Sequence, residues 1–429
     1  MTDTTDKTAQ KILRANDRGG YTVPTPGLYP YQWNWDSAFA ALGFATFDLN
    51  RAWQEVETLF QGQWTDGFLP HIVFRVDEPS YFPGPSIWRT GVTPPTSGIT
   101  QPPVVATVVR ALFEQDNNRD RLEALYPKIL AWHRWFATYR DPLNNGLVMT
   151  SHPWETGRDN SPEWDVPARG VDSSKVEPYE RRDLGHVDSD MRPKKDDYDR
   201  YIAILEFGRS VGWNHKTIAE KGPFRVLDVG LSFILLRANR DLLALAEALS
   251  RSDDVDFLRD RIELAEYGVS YLWDEAIGAF CSRDLIADKS SGMCTSTSFL
   301  ALYADVGSVD QRARLFENFK RIATTTRYML PSTDPHHSAF DSKRYWRGPV
   351  WAVVNLMAAI GFYEQGYALE ADRIREDTLS LIKKAGFFEA FDPISGEGTG
   401  GPDFTWTAAV WLYWSGLGQH FKDDIGEMV

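Results

Sequence analysis

Apolar residues recurring every three and four positions run through most of this chain and constrain it to stacked helices. Leu231, Leu235, Ala238, Leu242, Leu245 and Leu249 alternate spacings of four and three, and Leu258, Ile262, Ala265, Val269 and Leu272 repeat the pattern. Each set lies on one helical face. The polar run Ser250-Arg-Ser-Asp-Asp between them supplies a short connection with capping residues. Prolines in Gln101-Pro-Pro103 open another helix, with Val104, Val108 and Leu112 on a common face. Comparable stretches cover about 37–47, 51–63, 121–139, 198–210, 296–303, 310–321, 350–365 and 369–384, and a last helix starts near Trp406.

Some twelve helices with few strand signals predict an all-α chain. No Ser/Gly-rich linker, charge block or low-complexity tract divides it, so one domain over residues 1–429 is expected. Without a strong repeat of 20–50 residues, a closed α/α toroid with its site in loops at the mouth fits better than a superhelical array. Long irregular segments at 65–97, 152–197, and 324–347 with 387–404 are expected to carry that site, the first two as a lid.

Composition limits the partners. A formal charge of −14 opposes nucleic acid and anionic membranes, although a local arginine can still hold a small anion. The first residues lack a basic segment followed by an apolar run, and no apolar stretch reaches transmembrane length; a soluble, cytoplasmic protein is expected. Nothing in the sequence sets an oligomeric state. Cys281 and Cys294 form no metal-ligand pattern and are expected to be buried free thiols. His336-His337 and Asp188-Ser-Asp190 lack further ligands at metal-binding spacing, so neither metal nor organic cofactor is expected. The 16 Trp, 17 Tyr and 24 Phe fill cores, and they also suit the flat C–H faces of sugar rings.

Two acidic stretches in turn-forming sequence carry the chemistry. Glu155-Thr-Gly-Arg-Asp159-Asn-Ser-Pro162 and Gly396-Glu397-Gly lie more than two hundred residues apart. Cleaving a glycosidic bond commonly takes one carboxylic acid to protonate the leaving oxygen and one carboxylate on the opposite sugar face. Asp159 can be an ordinary turn residue, or an acid kept protonated by burial against Trp154 or Trp164; Arg158 would oppose that if its head pointed inward. Glu397 can be a solvent-facing glutamate, or a carboxylate given room by its glycines, with Glu389 and Asp392 as competitors. Tyr29-Pro-Tyr-Gln-Trp33-Asn-Trp35-Asp36 sets aromatics beside a carboxylate that could equally cap the next helix, and Tyr345-Trp346-Arg347-Gly-Pro-Val-Trp351 forms a similar cluster.

Taken in order, Trp33-Asn-Trp-Asp36, Glu155 to Pro162, Tyr345 to Trp351, and Gly396-Glu397 followed by Phe404-Thr-Trp-Thr-Ala-Ala resemble glycoside hydrolase family 63, and more distantly the trehalases. Tyr81-Phe-Pro-Gly-Pro85, Ser97-Gly-Ile-Thr-Gln-Pro-Pro103 and Arg192-Pro-Lys-Lys-Asp-Asp-Tyr-Asp-Arg-Tyr201 are similar to its bacterial glucosylglycerate and mannosylglycerate hydrolases. The resemblance implies an (α/α)6 barrel and an inverting α-glycosidase that needs no cofactor. Asp159 matches the general acid, and Glu397, nine residues before Trp406, matches the base. Tyr29, Trp33, Trp35 and Asp36 match the sugar-holding wall, the resemblance places Trp346 and Trp351 on its opposite side with Tyr345 of the same motif as a further substrate-binding candidate, and Gly157 matches the glycine before the acid. Tyr81, Gln101, Arg192 and Tyr198 match positions that hold glycerate, so the expected substrate is a small glycoside with a carboxylate aglycone. Alternatives are a family 63 α-glucosidase for neutral disaccharides, a noncatalytic sugar binder, and an epimerase of similar architecture.

Overall fold

The structure is a computed structural model that describes residues 4–415; the single domain expected over 1–429 extends beyond them at both ends. Its helices form the expected double ring. The inner ring runs through Asn34–Phe44, Val105–Asp116, Val229–Ala248, the turn Ser296–Phe299 continuing into Leu300–Tyr303, Ala352–Glu364 and Thr405–Ser415. Each packs against the next, and Thr405–Ser415 returns against Asn34–Phe44 to close the circle. Outside lie Thr4–Asn16, Leu49–Leu59, Arg119–Tyr139, Ser252–Gly268, Val309–Ala323 and Ala368–Ala385.

Position in the ring follows from patterning. Asn34–Phe44 is buried along its whole length, and Ala352–Glu364 is apolar nearly all round, which suits helices flanked on every side. Outer helices have one apolar stripe. Val309–Ala323 buries Leu315, Phe319 and Ile322 and starts in a capping box, where Gln311 N donates to Ser308 Oγ (3.2 Å) and Ser308 N to Gln311 Oε1 (2.9 Å). Truncating a stripe residue such as Leu315 to Ala removes core volume worth about 2–5 kcal/mol.

Three boundaries differ from expectation. Helix Thr4–Asn16 was not legible because it buries only Ala9, Ile12, Leu13 and Asn16. Ser252, Asp253 and Asp254, expected in a connection, form the first turn of Ser252–Gly268, where their acidic side chains suit the helix N-terminus. The helix expected from 37 begins at Asn34 with Trp33 at the cap position, so Asp36 is not a cap.

Short strands tie the loops at the mouth. Met149–Thr150, Val226–Leu227, Arg283–Asp284 and Lys289–Ser290 form an antiparallel sheet in that order, and Gln32–Trp33 pairs with Ile72–Val73. Ala390–Phe391 pairs with Gly398–Thr399 in the register Phe391 to Gly398. Cys281 and Cys294 are buried free thiols. Among the described residues, no helix is long and apolar enough to cross a membrane.

Candidate active site

A pocket walled by aromatic rings, carboxylates and an arginine opens at the mouth of the ring. Its lining includes Tyr29, Trp33, Trp35, Asp36, Tyr81, Gln101, Gly157, Asp159, Arg192, Tyr198 and Tyr345, all expected from the sequence. Three expected residues are elsewhere. Trp346 and Trp351 stack on each other (3.7 Å between centroids, 3° between planes) behind the wall, Trp346 against Trp35 and Trp351 against Trp406. Because the two indoles fill that layer, Tyr345 alone of their segment reaches the pocket.

Glu397 is the third. Its carboxylate is 61% exposed and pairs with Lys343 Nζ at 2.6 Å, so it cannot face Asp159 across a buried pocket. Glu389, 1% exposed, lines the pocket instead. The hairpin explains the exchange. Glu389 N donates to Gly401 O (2.8 Å) at its base, whereas Glu397 precedes the returning strand at the tip, where Asp392 N donates to Glu397 O (2.9 Å). Trp406 Nε1 donates to Glu389 O (3.1 Å), anchoring that base to the last inner helix. Glycines do make room for a carboxylate, but the glycine is Gly400 and the carboxylate is Glu389. At Gly400, with φ +74°, a Cβ would collide with Glu389 Oε2, and the next amide, Gly401 N–H, donates to that oxygen (3.1 Å).

Asp159 is held by an equally determined loop. The turn Pro153–Thr156 ends in Gly157 at φ +68°, where a Cβ would stand 2.6 Å from the Trp35 ring. Tyr201 Oη donates to Asp159 O (2.8 Å), and Trp346 N donates to Asn160 Oδ1 (2.9 Å). Arg158 points away, into a buried cluster with Glu163 and Asp228, and its Nη2 donates to Asp228 Oδ1 (3.0 Å). Glu155 is likewise structural, paired with buried Arg140 at 2.6 Å.

Burial and neighbours set the protonation states. Burial pushes Asp159 up to about 7, with Arg192 opposing and Glu389 adding to the rise. Asp36 is raised well above the ordinary carboxylate range, first by burial and then by Glu389. Glu389 is also raised by burial, but Arg192, Gly401 N–H, Tyr29 and Tyr345 all favour its charged form. Hydrogen bonds from Tyr29 and Gly401 favour the ionised form of Glu389, while burial favours the neutral forms of Asp159 and Asp36. His71, also on the lining, is held neutral by burial.

Among the described residues, one cation, Arg192, lines the pocket. Arg192 Nη1 donates to Tyr29 Oη (2.8 Å), Tyr29 Oη donates to Glu389 Oε1 (3.0 Å), and the guanidinium lies 4.4 Å from the Tyr345 ring centroid. Gln101 Oε1 accepts from Trp35 N (3.2 Å), which fixes its amide at the wall. Tyr81 and Arg192 come from the two long loops, joined by a Phe82–Tyr179 stack (5.0 Å, 4°). His71, Trp88, Phe404 and Trp406 also line it, with Trp154, expected beside Asp159, and Glu389, the competitor of Glu397. For Glu389 the available signal was its place between Phe388 and Ala390, in a run leading into a glycine-closed hairpin.

The model for the mannosylglycerate hydrolase MGH1-like glycoside hydrolase domain matches residues 29–407. Mannosylglycerate hydrolase of Thermus thermophilus is 48% identical over 95% of this chain and 99% of its own length. Glucosylglycerate hydrolase of Mycolicibacterium hassiacum is 34% identical over 95% of this chain and 97% of its own. A crystal structure of the GH63 mannosylglycerate hydrolase of Thermus thermophilus in complex with Tris and D-glycerate superposes with a TM-score of 0.93 at 47% identity, covering 96% of this chain and all of that one. With its ring of paired helices and a buried pocket that gathers carboxylates from distant loops, this chain belongs to the MGH1-like glycoside hydrolases of family 63.

Proposed function

We propose that the protein hydrolyses an α-glycoside of D-glycerate with inversion, Asp159 acting as general acid and Glu389, in place of Glu397, as general base. The observation that carries this reading is the pairing of Asp159 and Glu389 in one buried pocket whose bound cation is Arg192. Asp159 protonates the departing oxygen while Glu389 takes a proton from water attacking the anomeric carbon on the other face. Tyr29, Trp33, Trp35 and Asp36 form the sugar wall. Arg192 receives the glycerate carboxylate, since a guanidinium presents paired donors to two oxygens, with Tyr81, Gln101 and Tyr198 supporting it. The loops 65–97 and 152–197 close over the substrate and limit access of further water.

The names of the relatives support mannosylglycerate ahead of glucosylglycerate, the former being borne by the one at 48% identity and the latter by one at 34%. Incubation with both compounds and with neutral α-disaccharides, following the first-released anomer by NMR, tests the proposal. Release of the β-anomer from a glycerate glycoside is expected. Release of the α-anomer, or cleavage of neutral disaccharides alone, would overturn it.

A further inference from the structure

The guanidinium of Arg192 does not reach the pocket unaided. Its Nε donates to Asp183 Oδ2 (2.9 Å), and Asp183 is gripped on its other side by Arg181, whose Nε donates to Oδ1 (3.0 Å). Arg181 Nη2 donates to Asp183 Oδ2 (2.6 Å), and Arg181 Nη1 donates to Pro193 O (2.6 Å), binding the start of the 181–193 segment to its end. The Arg181 head also lies 4.2 Å from the Tyr198 ring centroid. All three charged side chains are at most 10% exposed. One carboxylate therefore connects the two residues, Arg192 and Tyr198, that face the aglycone end of the proposed substrate.

We propose that Asp183 is a positioning residue for aglycone recognition: it occupies Nε of Arg192 and, through Arg181, holds Tyr198, so that the Nη edge of the guanidinium is presented to a substrate carboxylate. This rests on the reading of Arg192 as the carboxylate ligand. Asp183 suits the task because it stays charged. Burial alone would raise it, but Arg181 and Arg192 outweigh burial and keep it below the ordinary carboxylate range. A guanidinium fixed at one edge loses less rotamer freedom on binding a ligand at the other.

The test compares mannosylglycerate with its neutral methyl ester on wild type, Asp183→Ala, Asp183→Asn and Arg192→Ala. Asp183→Ala is expected to raise KM for the acid by roughly 10- to 100-fold, the scale of one lost charged hydrogen bond, while kcat and the constants for the ester stay near wild type. Asp183→Asn, which keeps an acceptor for Nε, should recover part of the loss. D-Glycerate binding measured by calorimetry should weaken in parallel, and it also reads out a variant too slow to assay. A KM rise equal for acid and ester, or a fall in kcat alone, would overturn the proposal. If wild type cleaves acid and ester equally well, the reading of Arg192 fails and Asp183 with it. If only Arg192→Ala separates the two substrates, Asp183 alone loses its role.

Discussion

Glu389 and Glu397 stand at opposite ends of one short hairpin, the first buried at its base beside Gly401 and the second exposed at its tip beside Lys343. Glu389→Gln is therefore expected to lower kcat by about 10²–10⁴, the usual worth of a general base, with folding preserved. Glu397→Gln should remain within a few-fold of wild type. Steady-state kinetics on the two variants side by side checks the assignment, and the opposite ranking would restore Glu397.

As the proposed general acid Asp159 acts in its protonated form, and burial pushes it up to about 7. The kcat/KM profile is expected to fall as pH rises through that value, because the acid loses its proton. A profile flat to pH 9 would remove Asp159 from the role.

The same burial carries a stability cost. Asp159 in the fold titrates at about 7, above its ordinary 3.8. The native state then binds more protons than the unfolded chain between those values, and stability declines as pH rises through that window. Asp159→Asn should thus melt higher than wild type at pH 8 and show a smaller difference at pH 4. Differential scanning calorimetry at both pH values reads this directly.

Gly157 sits at φ +68°, where an added Cβ would stand 2.6 Å from the Trp35 ring. Gly157→Ala combines left-handed backbone strain with a Cβ pressed on that indole, and should cost about 1–3 kcal/mol in stability. It should also lower kcat/KM by displacing the sugar wall. Urea denaturation and a substrate titration measure the two effects separately.

Arg158 neutralises buried Asp228 and Glu163. Arg158→Met leaves both carboxylates without their partner, for an expected loss of about 3–5 kcal/mol by denaturant titration. Because its head points away from Asp159, the upper limb of the pH profile should stay where it is in wild type. A shifted limb would show that Arg158 acts on the acid after all.

Much of the molecule was legible from residue order alone. The spacings in 231–249 and the stretch 310–321 read as helices, because period and polarity are local properties of the chain, while their places in the inner and outer rings come from the structure. Asp159 and Arg192 were found through motifs long enough to resemble a family. Thr4–Asn16 was missed since its buried face is only four residues, and Trp346 and Trp351 were set too near the pocket because an aromatic motif does not reveal which layer each ring fills.

What the sequence by itself determined is therefore the double ring of helices, the loops that bear the pocket, and the carboxylate proposed as acid. What only the tertiary structure decided is which glutamate of the hairpin faces the pocket and what supports the arginine. Choosing between Glu389 and Glu397 depends on hairpin register and on which end of that hairpin the last inner helix covers, a contact that Trp406 makes across the fold. Burial, hydrogen-bond donors and neighbouring charge then set Glu389 apart, and each arises from residues brought together only when the ring closes.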